Sequence, residues 1–95
     1  MDITVKHEKK YQQFTVELAD EEEAELAYAL PSEGTIDFTH TYVPESARGK
    51  GVAQKLIEEG LCFARDNGYL VIATCPAVKK YIRSNPEHHD LLKKV

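Results

Sequence analysis

The segment Val43–Leu56, VPESARGKGVAQKL, sets Gly49, Gly51 and Ala53 at alternate positions beside Arg48 and Lys50. The residues that follow have the pattern of a helix. A helix N-terminus presents unpaired N–H groups and the positive end of the helix dipole, so it is a natural site for an anion. Small residues let the anion approach the backbone, and Arg48 and Lys50 add charge-assisted hydrogen bonds. The competing reading is a strand-to-helix turn that needs only glycine's torsions. Two familiar phosphate motifs do not fit. A P-loop places Ser or Thr directly after Gly-Lys, where this chain has Gly51. A dinucleotide fingerprint counted from Gly49 and Gly51 needs a third glycine where Gln54 stands.

The charge distribution supports a small anionic ligand. Residues 44–55 hold Arg48, Lys50 and Lys55 against Glu45, and residues 76–83 hold Lys79, Lys80 and Arg83 with no acid. The whole chain nevertheless has a formal net charge of -4, so the remainder is acidic. Two short basic segments in an acidic protein suit a compact anion and argue against a nucleic-acid partner.

The elements that must position this turn can be read from hydrophobic period. Ile3–Val5 and Phe14–Leu18 alternate as half-buried strands do, and the polar HEKKYQQ between them predicts a hairpin connection. AELAYAL (Ala24–Leu30) predicts a strand with Leu26, Tyr28 and Leu30 on one face. TIDFTHTYV (Thr35–Val43) is the clearest strand, with Ile36, Phe38, His40 and Tyr42 on one side. The period then changes. Val52, Ala53, Leu56, Ile57, Gly60, Leu61, Phe63 and Ala64 fill one half of a helical wheel that Gly68 terminates. Gly60, inside the apolar half, predicts close packing of helix on sheet. Cys62 falls on the charged half and should be exposed. YLVIATC (Tyr69–Cys75) is apolar on both faces, as a central parallel strand is. Pro76 suits the first turn of another helix, and PEHHDLLKKV reads as a last short helix or a tail. The order is ββββ-α-β-α: an α/β (α+β) chain with a mostly antiparallel sheet and one right-handed crossover to a parallel strand.

Ninety-five residues predict one domain, 1–95, with little core to spare. No apolar run approaches the ~18 residues that span a bilayer, and MDITVKHEKK has no apolar signal-peptide core. These features predict a cytoplasmic location, no membrane partner, and two free thiols rather than a disulfide. The four histidines and two cysteines are not at ligand spacing, which argues against a metal site.

Arg48, Gly51 and Ala53 stand at the spacing Arg/Gln-x-x-Gly-x-Gly/Ala, and Ala77 and Tyr81 at Ala-x-x-x-Tyr. This pair of motifs resembles motif A and the following helix of the GNAT superfamily of N-acetyltransferases. VPESARGKGVAQKL, CP and VKKYI together look like its small, single-domain YjdJ-type subgroup, over about Thr35 to Pro86. The resemblance implies a minimal form of that fold, in which a parallel strand pair starts side by side and splays into a cleft for acetyl-coenzyme A. It implies that Tyr42 and Val43 meet the pantetheine arm. It also implies that Arg48, Gly49, Lys50, Gly51, Val52 and Ala53 cradle the pyrophosphate. Lys79 and Lys80 would take the remaining phosphate oxygens, or else form a solvated helix face. The implied activity is acetyl transfer to an amine of a protein, peptide or small molecule. The alternatives are a module that binds or senses acyl-coenzyme A without turnover, and a structural domain whose glycine turn is only a turn. A monomer is compatible with each.

Such a transfer needs a deprotonated acceptor and a protonated leaving thiolate. His40, just upstream of the motif, is a candidate base, or a histidine packed on a sheet face. Cys75, on the opposite wall of the implied cleft, is a candidate acyl relay or proton donor, or a small apolar residue at a strand end. Tyr81 matches the position that protonates the leaving thiolate in the larger family, or is a packing tyrosine. The chain departs from the larger members by having half a dozen polar residues where they insert two helices, which implies an open, shallow acceptor surface.

Overall fold

A computed structural model describes residues 3–93 of the protein. Four strands, β1 (Val5–Glu8), β2 (Gln13–Glu17), β3 (Glu23–Ser32) and β4 (Thr35–Tyr42), run as an antiparallel meander. Helix α1 (Val52–Asp66) crosses over to β5 (Leu70–Ala73), which pairs parallel with β4, and α2 (Pro76–Ser84) follows. The sheet order is β1-β2-β3-β4-β5. This is the expected ββββ-α-β-α succession.

The core forms between α1 and one face of the sheet. Val52, Leu56, Ile57, Gly60, Leu61 and Ala64 of the helix are buried. They meet Phe14, Val16, Leu26, Tyr28, Ile36 and Phe38 in one apolar cluster. Gly60 is where helix and sheet come closest. A Cβ there would stand 2.9 Å from both Leu26 Cδ2 and Phe38 Cε1, so only glycine fits without displacing buried side chains. The end of α1 is fixed by a left-handed Gly68. The N–H of Gly68 reaches Arg65 O at 3.2 Å and that of Tyr69 reaches Ala64 O at 2.9 Å, the paired bonds of a Schellman cap. The ring of Tyr69 then packs 5.8 Å from that of Phe63.

Three local expectations are corrected. The first strand is not Ile3–Val5 but begins at Val5 and takes in His7 and Glu8, and a 3-10 turn at Lys9–Tyr11 makes the connection. The reason is packing. His7 stands opposite Phe14 in the ladder, and its ring stacks on that ring at 4.2 Å, so an apparently polar loop residue completes an aromatic cluster. Leu30 is exposed instead of sharing a face with Leu26 and Tyr28, because the β3–β4 register shifts between Ala29 and Ser32. β5, expected as a central strand because it is apolar on both faces, is instead the last strand of the sheet, with its outer side met by a parallel bridge from Leu92 to Val71. The C-terminal segment, by contrast, forms the short helix expected of it, a 3-10 helix over Pro86–Leu91.

Candidate functional site

The parallel pair holds together over a short length and then separates. Thr35–Phe38 pair with Leu70–Ala73, and the N–H of Cys75 reaches Phe38 O at 2.9 Å. β4 continues to Tyr42 while β5 stops at Ala73, so Thr39–Tyr42 run on beside a gap. The far end of β5 is tied to β4 by Asp37, which accepts from Thr74 Oγ1 at 2.9 Å and from Thr74 N–H at 3.3 Å.

A bulge decides which side chains face that gap. Tyr28 pairs with Phe38 but Ala27 pairs with His40, so Thr39 is the extra residue on β4. One inserted residue reverses the side-chain alternation beyond it. Thr41 therefore lies opposite buried Leu26, on the side of α1, while His40 and Tyr42 lie opposite Ala27 and Glu25 on the other face and are exposed. The expected grouping of Ile36, Phe38, His40 and Tyr42 on one side holds only up to Phe38. Thr41 takes the inward place, with its Oγ1 3.2 Å from the Sγ of Cys75. Cys75 is buried at 5% exposure and stands as the residue before Pro76 at the start of α2.

The glycine turn follows directly. Pro44 and Ala47 are buried and seat a 3-10 turn, Glu45–Ala47. Arg48 straps the loop by donating its Nε to Val43 O at 3.0 Å, which occupies that carbonyl and leaves the outer guanidinium nitrogens facing solvent. Gly49 and Gly51 adopt φ of 79° and 80°, the left-handed region that disfavours any side chain. No atom comes within 4 Å of a Cβ built at either position, so the backbone there is open from above. Gly51 caps α1 without a side-chain hydrogen bond, and no acidic residue sits in the first turn. The positive end of α1 is thus bare and flanked by Arg48 and Lys50.

The sequence compares directly with known proteins. A model of the GCN5-related N-acetyltransferase family matches residues 13–91. This chain belongs to that family. It is 34% identical over 85 residues to Protein NATD1 of Homo sapiens, covering 88% of this chain and 75% of that protein. The Gallus gallus and Danio rerio proteins of the same name are 35% and 31% identical, covering 88% and 98% of this chain and 77% and 84% of their own lengths. The solution structure of a GCN5-like protein from Staphylococcus aureus superposes with a TM-score of 0.77 over 97% of this chain and 89% of that one, at 24% identity, which speaks for the fold.

In this family member the other candidate residues fall into separate places. A shallow cleft of about 370 Å³ separates the first turns of α1 from α2, between Ala53, Gln54 and Ile57 on one side and Lys80 and Tyr81 on the other. Lys80 therefore shares a cleft with Ala53, the last residue of the turn, while Arg48, Gly49, Lys50 and Gly51 do not line it. Lys79 sits on the other flank of α2, beside the outer edge of β5. Tyr81 donates its hydroxyl to Glu58 Oε1 at 3.1 Å. Burial, and then the Glu58 carboxylate, push this phenol above its ordinary range, so Tyr81 keeps its proton. Cys62 is exposed, as its place on the wheel predicts. The nearby Asp66 carboxylate pushes its thiol up. The structure thus brings Cys75 together with Thr41, turns His40 away from both, and gives Tyr81 a partner on α1. Thr41 and Glu58 are the residues that sequence reasoning missed. Glu58 shows itself only as one more acid on a charged helix face, and Thr41 is hidden by the bulge.

Proposed function

We propose that this protein binds acetyl-coenzyme A, with the pyrophosphate on the turn from Arg48 to Ala53 and the pantetheine arm in the gap beside Thr39–Tyr42, and transfers the acetyl group to an amine. One observation carries the reading. Two left-handed glycines leave an uncapped helix N-terminus open at the mouth of the gap that β4 and β5 leave between them. Backbone N–H groups and the helix dipole would hold the phosphates there, and the outer nitrogens of Arg48 with Lys50 and Lys80 would add charge. Cys75 and Thr41, meeting at the base of the gap, are the groups of this chain that would stand nearest a thioester. The bulge puts His40 on the opposite face of the sheet, so a base and a thiol would serve the reaction from two sides. The amine would come from that open face, where the cation it carries when protonated meets Glu25 and Asp37 of the exposed sheet.

A second reading, binding without turnover, is favoured by one fact. Among the described residues the hydrogen-bond partner of the Cys75 side chain is a threonine and not a titratable base. Calorimetry with coenzyme A tests the binding claim: wild type should bind with an affinity that falls as salt rises. No detectable binding would remove the proposal. Release of free thiol from acetyl-coenzyme A, accelerated by amines, separates transfer from binding alone.

A further inference from the structure

A second cleft, of about 660 Å³, lies on the other side of α2 from the proposed coenzyme site. β5 forms its inner wall. On this edge β5 is paired through the parallel bridge Val71–Leu92, with the N–H of Lys93 on Val71 O at 2.9 Å. The apolar lining is Leu92, 38% exposed, with half-buried Ile72 and Ala73, over Val71 and Ile82, which are fully buried. Lys79 and Arg83 stand one helical turn apart at the rim, on the same face of α2. Neither enters an ion pair among the described residues. Lys93 also borders the cleft, with its Nζ donating to Thr35 Oγ1 at 3.2 Å. His89 is the remaining titratable group on the wall, and no carboxylate lines it among the described residues.

We propose that this cleft is a second binding site, for a small amphiphilic carboxylate. The volume lies in the range of small-molecule sites, and an alkyl or aromatic body would cover Leu92 and the half-buried Ile72 and Ala73. The carboxylate would be held by Lys79 and by the fork of Arg83, a geometry suited to two parallel hydrogen bonds. The chain as a whole carries a formal charge of -4, so attraction of an anion here is a property of this rim and not of the protein at large. A cation of the same shape would meet the same apolar lining and be repelled. The site rests on residues apart from the glycine turn and stands independently of the coenzyme proposal.

The test is an NMR titration of the isotope-labelled protein with sodium octanoate, following the amides of Val71, Ile72 and Leu92. Octylamine, a cation at neutral pH, and sodium acetate serve as counterparts with the charge reversed and with the chain removed, respectively. Octanoate should shift these amides saturably, whereas the amine and acetate should not, and saturating coenzyme A should leave the octanoate response in place. The double variant Lys79→Glu/Arg83→Glu should weaken binding about fivefold, with exposed charges contributing modestly. Arg83→Gln alone, which perturbs α2 less, should weaken it about twofold. An equal response to octylamine, unchanged affinity in both variants, or displacement of octanoate by coenzyme A would each overturn the proposal.

Discussion

Helix α1 carries glycine at two places for opposite reasons. Gly60, in its interior, exists because the space above it is full: Leu26 and Phe38 occupy the volume that a Cβ would need. Gly51, at its N-terminus, has no neighbour within that distance, and the constraint there is the backbone, held at φ 80°. One glycine records how the fold is packed; the other marks a surface kept bare. The same helix thus joins a structural contact to a candidate binding turn, and substitutions at the two positions should fail in different ways.

The largest effect is expected at Gly60. Valine there would drive two methyl groups into fully buried Leu26 and Phe38, and overpacking of this kind costs about 3 kcal/mol when the neighbours cannot move. Alanine regains up to about 1 kcal/mol of helix propensity and should cost less than valine while still destabilising. Urea unfolding of the two variants checks this, and a Gly60→Val protein as stable as wild type would show that helix and sheet do not meet as described. Gly51→Val should behave differently. A β-branched residue in the left-handed region costs about 1–2 kcal/mol of stability, with no clash to add. Its effect on coenzyme A binding should exceed that, because the methyl groups would cover the open backbone. Calorimetry showing wild-type affinity in a folded Gly51→Val protein would refute the proposed phosphate site while leaving the fold intact.

Arg48→Ala is expected to have an intermediate effect. It removes both the strap to Val43 and the outward-facing donors, but the backbone donors of the turn remain, so coenzyme affinity should fall by about 1–2 kcal/mol. A loss as large as that in Gly51→Val would mean that the side chain, rather than the bare helix end, dominates the site. The cysteines sharpen the same contrast without a free-energy scale. Cys62, on the solvent side of α1, should react with a thiol reagent whether or not coenzyme A is present, and Cys75, buried beside the gap, should be slow and slower still with ligand. Equal protection of both would contradict the placement of the site.

The glycine turn, the amphipathic helix and the parallel strand were legible because each is written in local sequence: small residues at alternate positions, a period near 3.6, an unbroken apolar run. The bulge at Thr39 was not. TIDFTHTYV alternates without interruption through Ile36, Phe38, His40 and Tyr42, and the inserted residue is defined by how β4 lies against β3, not by any residue type within it. The same holds for His7. Its polarity marks a loop, and only the stack on Phe14 and the edge contact with Phe63 at 4.4 Å show that it belongs to the core. Register and aromatic packing are relations between segments, so the pairing of Thr41 with Cys75 and the start of β1 were beyond reach of single-segment patterns.

His7 supplies the smallest expected effect and tests the packed side of the comparison. Its Nε2 lies 2.8 Å from the hydroxyl of Tyr28. Burial pushes the Tyr28 phenol up, so we assign Tyr28 as donor and a neutral His7 as acceptor. Burial, and then the charge of Lys9, hold the imidazole below its ordinary value of 6.5 in the folded protein. The unfolded chain therefore takes up this proton at a higher pH than the folded one. Stability from neutral His7 is fully present above pH 6.5 and is lost as pH falls through the depressed folded value. His7→Phe keeps the stack and removes the titration. Urea midpoints of wild type should drop more steeply between neutral pH and about pH 5 than those of His7→Phe, since the carboxylates common to both titrate alike. Parallel pH curves would show that His7 is solvated, and that the aromatic cluster over Phe63 closes less tightly than the contact at Gly60 requires.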